Sequence, residues 1–250
     1  MNLRNTRRHW QALGKQNPLY AILTLKEVKD GKWDEAEFFK TGQDEIKKTF
    51  EYLSSLNLKP EPGRAVDFGC GAGRLTQALA PHFEETHGVD IAHSMIELAN
   101  KYNKFGEKCK YHVNEENNLK LFPDNHFDFV FTKITLQHME PAYMKNYLKE
   151  FLRILKTGGV MFFQLPESPT ARLDEYKSPA RSFIKKIIPK LALDIYYNLK
   201  HFYHPIIEMY GTPREEIINL IEQGGAKVVA VKENQDAGDK WISLDYSVTK

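Results

Sequence analysis

The chain has 250 residues, with 35 Lys and Arg against 33 Asp and Glu and a formal net charge of +2. That balance gives no electrostatic case for nucleic acid as its main partner. No apolar run reaches the roughly 18 residues that a membrane span needs, and two cysteines, Cys70 and Cys109, are too few for a disulfide framework or a zinc site.

Residues 1–43 are rich in aromatics (Trp10, Tyr20, Trp33, Phe38, Phe39) without a clean period, and read as a cap segment ahead of the first motif. The basic start, Met1 to Arg8, is followed by no hydrophobic signal core, so a reducing, cytoplasmic setting is expected. A helix is expected over about 44–58, with Asp44 as N-cap and Ile46, Phe50 and Leu53 on its apolar side. Lys59-Pro60-Glu61-Pro62-Gly63 ends it before a first strand.

That strand runs into Val66-Asp67-Phe68-Gly69-Cys70-Gly71-Ala72-Gly73-Arg74. Glycine lets the backbone take positive φ and lets a ligand approach where a Cβ would intervene. A dinucleotide fingerprint runs G-x-G-x-x-G and sets a pyrophosphate on a helix N-terminus. Here the spacing is G-x-G-x-G, and Arg74 stands where the third fingerprint glycine would fall. Asp67 would repel a pyrophosphate but suits a ligand with an ammonium or sulfonium group. Leu75, Ala78, Leu79 and Phe83 then recur at helical spacing. The second strand, Thr86 to Ile91, holds Asp90, whose carboxylate can accept from both hydroxyls of a ribose. S-adenosylmethionine, an adenosine with a cationic amino-acid tail, is the ligand these features suit.

Downstream, Ser94-Met95-Ile96-Glu97 reads as a capping box. A third strand is expected near Tyr111-His112-Val113 and a fourth over Phe129 to Thr132. Tyr143, Tyr147, Leu148, Phe151, Leu152 and Leu155 make one side of the next helix, and Val160 to Leu165 the fifth strand. Thr212-Pro213-Arg214-Glu215 reads as a second capping box. The last strands are Ala226 to Val231 and Trp241 to Val248, linked by a turn over 235–239. Strands alternating with helices imply a parallel sheet with right-handed crossovers.

Four stretches in order, Asp67 to Gly73, Gly88-Val89-Asp90, Asn125 to Val130 and Leu155-Lys156-Thr157-Gly158-Gly159, resemble the motifs of class I S-adenosylmethionine-dependent methyltransferases. Thr157 replaces the proline usual in the last of them, and the likeness covers roughly residues 45–165. It implies an α/β fold, a doubly wound seven-stranded Rossmann-like sheet with helices on both faces, and a seventh strand that is antiparallel. The domain would be 44–250. The cofactor implied is S-adenosylmethionine, with contacts from Asp67, Gly69, Cys70, Gly71, Gly73, Arg74, Asp90, Ile91, Met95, Thr132, Lys133 and His138. By the same resemblance an acidic residue after the third strand meets the adenine amine; Glu115 and Glu116 compete for that part beside Asn117.

His138, after the fourth strand, is the candidate general base for an oxygen acceptor, because an imidazole near its usual pKa of about 6.5 suits proton removal. The other readings make it a helix cap, or a side chain packed at the cofactor's edge. His201 and His204 are its rivals. Residues 167–211 exceed the roughly 2–6 residues of a bare connection; they read as a lid over the acceptor pocket, or as a hairpin that thickens the core or makes a dimer contact. Arg181, Lys185, Lys186 and Lys190 within them form a solvated helix face or meet an anionic surface. Asp236 and Asp239 are read as turn residues or acceptor contacts.

Thr132-Lys133 occupies the place where metal-dependent catechol-type enzymes carry a ligating Asp, so no metal is expected. No Asn/Asp-Pro-Pro-Tyr/Phe follows the fourth strand and no paired-glutamate loop is present, against the DNA, protein-glutamine and protein-arginine groups. The expected partner is a small-molecule acceptor, without nucleic acid or stable membrane insertion. Two rival functions are a nicotinamide-dependent oxidoreductase and a cofactor-binding protein without turnover.

Overall fold

The computed structural model describes residues 2–24, 28, 33–170 and 208–250. Its first elements are helices. Helix α1 (Leu3–Gln16) is capped by the Asn2 side chain, which accepts from the Asn5 amide at 3.0 Å, and α2 (Pro18–Ile22) begins on a proline. Helix α3 runs Glu35–Ser55 and is capped by Asp34, whose carboxylate accepts from the Glu37 amide. Sequence reading put the cap at Asp44, ten residues late, because Asp44 is itself a favoured capping residue type. Gly42 lets α3 close on its neighbour: a Cβ there would lie 2.6 Å from the Arg74 carbonyl. The expected segment boundary at residue 43 therefore falls inside a helix.

The chain then alternates: β1 (Arg64–Phe68), α4 (Arg74–Leu79), β2 (Glu85–Asp90), α5 (His93–Tyr102), β3 (Cys109–Val113), β4 (Phe127–Thr132), α6 (Pro141–Ile154), β5 (Leu155–Pro169), α7 (Arg214–Gln223), β6 (Lys227–Asn234) and β7 (Trp241–Thr249). The seven strands lie in the order β3-β2-β1-β4-β5-β7-β6. β1 to β5 are parallel, and β7 runs antiparallel to both β5 and β6. The order reverses between β1 and β4, and ligands in such sheets bind outside the carboxyl ends at that switch.

Both faces of the sheet are covered, which the uninterrupted apolar strands require. Side chains alternate between the faces with period two. Phe129, Phe131, Val160 and Phe162 pack with Ile46, Leu53 and Leu79 of the α3–α4 layer. Val130, Met161, Phe163 and Leu165 pack with Leu148, Phe151, Ile217 and Ile221 of the α6–α7 layer. Phe151 is fully buried and meets Phe68 edge-on at 5.1 Å. Truncating a buried Phe to Ala costs about 3–5 kcal/mol, so Phe151→Ala should lower the thermal midpoint by roughly 10 °C. A calorimetric scan showing no shift would contradict this packing.

Two expected capping boxes are corrected. Ser94 lies inside α5, whose cap is Ala92. Its hydroxyl donates to the Gln11 carbonyl and its amide to Gln11 Oε1, each at 3.1 Å, so tertiary contact with α1 takes the groups a cap would use. Thr212 likewise does not cap α7, whose cap is Pro213; the buried Thr212 donates its amide to the Pro166 carbonyl at 3.0 Å. Most of the expected lid, residues 171–207, lies outside the described residues, with His201, His204 and the basic run from Arg181 to Lys190.

Candidate active site

A cavity, partly open to solvent, lies at the carboxyl edge where strand order reverses. Phe68, Gly69, Cys70, Gly71, Arg74 and Leu75 of the β1–α4 turn form one wall, with Val89, Asp90 and Ile91 beside them. Met95, Asn114 and Tyr147 continue it, and Lys133, Ile134, Thr135, His138 and Met139 supply the segment after β4. Thr6, Trp10 and Ile22 close it from α1 and α2.

Backbone geometry explains the glycines. Gly69, Gly71 and Gly73 have φ of 80°, 53° and 82°, a region that other L-residues rarely enter. A Cβ on Gly69 would stand 2.2 Å from Thr135 Cγ2, and one on Gly71 would stand 2.8 Å from Ile22 Cδ1. The turn is pinned to β2, since the Gly69 and Cys70 amides both donate to the Val89 carbonyl at 2.7 and 3.0 Å.

Asp90 sits half-buried at the end of β2, accepting from the Gly71 amide at Oδ2 (3.0 Å) and the Ala92 amide at Oδ1 (2.9 Å). A carboxylate offers about four acceptor positions, so each oxygen keeps one for a ligand hydroxyl. Burial pushes its pKa up to about 6 against those backbone bonds. Asp67 is different. It is buried off the cavity wall, accepts from the Thr76 hydroxyl at 2.7 Å, and is also pushed up to about 6, chiefly by burial.

Arg74 is a buried cation on the wall. Its Nη1 donates to Thr41 at 3.2 Å, its guanidinium lies 6.0 Å from the Phe38 ring, and burial lowers its pKa. Lys133 is buried between Glu45 and Asp236, with Asp236 Oδ2 at 3.1 Å. Neighbouring carboxylates, Asp245 first, outweigh burial and raise its pKa. Asp236 thus pairs across the end of the sheet, while the Asp239 carbonyl accepts from Thr170 at 3.2 Å.

Gly73, Thr132, Glu115, Glu116 and Asn117 join Asp67 off the wall. Gly73 faces Tyr111, whose hydroxyl would be 2.5 Å from a Cβ. The Thr132 hydroxyl donates to the Phe68 carbonyl at 2.8 Å, tying β4 to β1. Glu115 pairs with Arg7 of α1 and with His93 at 3.0 Å. Glu116 contributes its carbonyl, which accepts from Tyr147 and, at 3.2 Å, from Asn114. The Asn117 carbonyl accepts from Asn146.

His138 reaches the wall with both ring nitrogens engaged: Nδ1 lies 2.8 Å from the Glu208 carbonyl and Nε2 lies 3.2 Å from Gln137 Nε2. Burial lowers its pKa to about 4. The structure therefore places the expected base where its lone pair already has a partner. Ile134, two residues past β4, has φ 56°, a strained conformation for a β-branched residue that persists where surroundings impose it.

Sequence reasoning missed Thr6, Trp10, Ile22, Phe68, Leu75, Val89, Asn114, Ile134, Thr135, Met139 and Tyr147 as wall residues. Phe68, Val89, Asn114, Thr135 and Met139 carried a local signal, since each lies within or beside a motif stretch; Thr6, Trp10 and Ile22 carried none.

Residues 66–163 match a family model described as a methyltransferase domain. An uncharacterized methyltransferase, YcgJ, of Bacillus subtilis is 30% identical over 118 residues, 45% of either chain. A ubiquinone biosynthesis O-methyltransferase of Xanthomonas axonopodis is 25% identical over 167 residues, 66% of this chain and 59% of that one. The chain thus spans about half the length of these curated relatives. Among solved structures, a magnesium protoporphyrin IX methyltransferase from Synechocystis with bound S-adenosylhomocysteine superposes with TM-score 0.63 at 14% identity, covering all of both chains. Residues 66–163 therefore carry a methyltransferase domain, and the fold around it is that of the class I, S-adenosylmethionine-dependent methyltransferases.

Proposed function

We propose that the protein transfers the methyl group of S-adenosylmethionine to a small-molecule acceptor, an oxygen nucleophile ahead of a nitrogen one. The observation that carries this is Asp90, with one acceptor position left on each oxygen, beside the side-chain-free edge of Gly69 and Gly71. A ribose diol fits those two positions. When bound, the cofactor supplies a sulfonium methyl that passes to the nucleophile as the S–C bond's electron pair returns to sulfur. The chain's part is to hold and orient: Asp90 takes the sugar, and Met95 and Asn114 lie toward the adenosine side. Thr6, Trp10 and Ile22 help exclude water. Alignment of donor and acceptor supplies roughly 7–11 kcal/mol of such a barrier, so no covalent enzyme group is needed.

The oxygen preference draws on the ubiquinone-pathway O-methyltransferase. A phosphoethanolamine N-methyltransferase of Arabidopsis, 28% identical over 109 residues, keeps nitrogen second. We place α1 and α2 as a cap on the same cavity. The nicotinamide reading fits less well, because that fold's strand order is 3-2-1-4-5-6, whereas here antiparallel β7 lies between β5 and β6.

Turnover with methyl-labelled cofactor and a panel of phenols, carboxylates and amines tests the proposal. Label should appear in an organic acceptor. Stabilisation by NAD but not by S-adenosylhomocysteine in a thermal-shift comparison would favour the oxidoreductase instead.

Affinity for S-adenosylhomocysteine should also depend on pH. The hydroxyls bind ionised Asp90, while the free folded protein holds its pKa at about 6. Affinity should stay level above pH 6 and fall by up to about tenfold per unit below it. In the free protein the same raised value acts oppositely on stability: the folded state binds the extra proton, so this group's contribution is present at low pH and fades as pH rises through 6. An affinity unchanged down to pH 5 would remove Asp90 from the ribose role.

A further inference from the structure

A line of hydrogen bonds crosses the cavity's rear wall, pinned at each end by a backbone group. The Ile134 amide donates to Gln164 Oε1 at 3.0 Å. The Gln164 side-chain amide therefore points its nitrogen the other way, donating to Gln137 Oε1 at 3.1 Å and to the Ser243 hydroxyl at 2.7 Å. Gln137 in turn presents its nitrogen to His138 Nε2 at 3.2 Å. At the far end the Glu208 carbonyl, which can only accept, faces His138 Nδ1 at 2.8 Å. Gln164, Gln137 and Ser243 are almost wholly buried, so water offers no substitute partners.

The two ends demand the same answer independently. The Ile134 N–H, relayed through Gln164 and Gln137, requires a bare lone pair on Nε2, and the Glu208 C=O requires a proton on Nδ1; both conditions describe one neutral tautomer. We infer that Gln164 and Gln137 are positioning residues that lock His138 as the neutral Nδ1–H tautomer. A second proton on Nε2 would face the Gln137 amide hydrogens. Turning that amide would confront Gln164 nitrogen with Gln137 nitrogen, and turning Gln164 would set its nitrogen against the Ile134 N–H. Protonating one ring thus disrupts the whole line. Burial lowers the ring's basicity and the Glu208 carbonyl raises it; the Glu208 carboxylate itself accepts from the Tyr210 hydroxyl. For the reaction, and resting on the methyl-transfer reading, His138 is then a fixed wall group, and an acceptor's proton leaves by another route.

The test is long-range ¹H–¹⁵N NMR of the histidine rings in the ligand-free protein. His138 is assigned as the signal lost in His138→Gln. The expected result is a protonated Nδ1, an unprotonated Nε2 and no titration between about pH 5.5 and 8, either side of the usual value of about 6.5. Gln164→Glu, which still accepts from Ile134 but has no N–H for Gln137, should raise the midpoint by at least about one pH unit. A wild-type ring protonated on Nε2, or titrating near 6.5, would overturn the inference, as would an unmoved midpoint in the variant. Because no cofactor is present, either outcome leaves the methyltransferase reading to be judged separately by cofactor binding.

Discussion

Asp90→Ala is expected to weaken S-adenosylmethionine binding by about a hundredfold while leaving the protein folded. Hydrogen bonds to a charged group contribute about 1.5–3 kcal/mol each, and the side chain is proposed to accept one from each ribose hydroxyl. It also holds the Gly71 and Ala92 amides, so its loss loosens the turn as well. Asp90→Asn keeps one acceptor oxygen and should fall between the two, near a tenfold loss. Calorimetric titration of the three proteins checks the series. Equal affinities for all three would show that the sugar lies elsewhere.

Gly69→Ala should be the most damaging small substitution in the turn. At φ 80° a side chain is strained by about 1–3 kcal/mol. Its Cβ would also meet Thr135 Oγ1 and Cγ2 at 2.2 Å, which forces the segment after β4 to move. Overpacking of this kind costs about 1–3 kcal/mol more. A loss of about 3 kcal/mol overall corresponds to a midpoint lowered by roughly 6–12 °C, with cofactor binding abolished. Thr135→Gly in the same chain removes the clash but not the backbone strain, so the double variant should recover part of the stability. No recovery would mean that the clash is not what matters.

These two residues were also the most legible in the sequence, for a physical reason. Gly69, Gly71 and Asp90 belong to one strand–turn–helix–strand unit, so pairing of β1 with β2 brings them together whatever the rest of the chain does. The strands were legible for a similar reason: runs such as Phe127 to Thr132 are apolar throughout because both sheet faces are covered. What was not legible depends on contacts between distant segments. Trp10 reaches the cavity because Ser94 and Gln11 hold α1 on α5, and nothing near residue 10 announces it. Gly42 lies inside α3, and nothing local announces that Arg74 packs against it. The engagement of His138 shows the same limit: its neighbour Gln137 is local, but Gln164 and Glu208, which fix its proton, arrive from β5 and from the far end of the insert.

The balance of charge around the cavity is a further product of assembly. Lys133 comes from the β4 end, Glu45 from α3 and Asp236 from the β6–β7 turn. The group ties three elements together at the edge of the site. Asp245 beside it is pushed up to about 7, mainly by burial. Lys133→Met should therefore destabilise the protein by leaving half-buried Glu45 and Asp236 and buried Asp245 without their cation, by about 1–3 kcal/mol, as urea unfolding would measure.

Isothermal titration of the intact chain with S-adenosylhomocysteine bears most directly on the whole reading. A nucleoside seated against the bare turn should give a saturable heat at one site per chain, largely erased in Asp90→Ala. A folded sample that takes up heat with neither S-adenosylhomocysteine nor S-adenosylmethionine would contradict it.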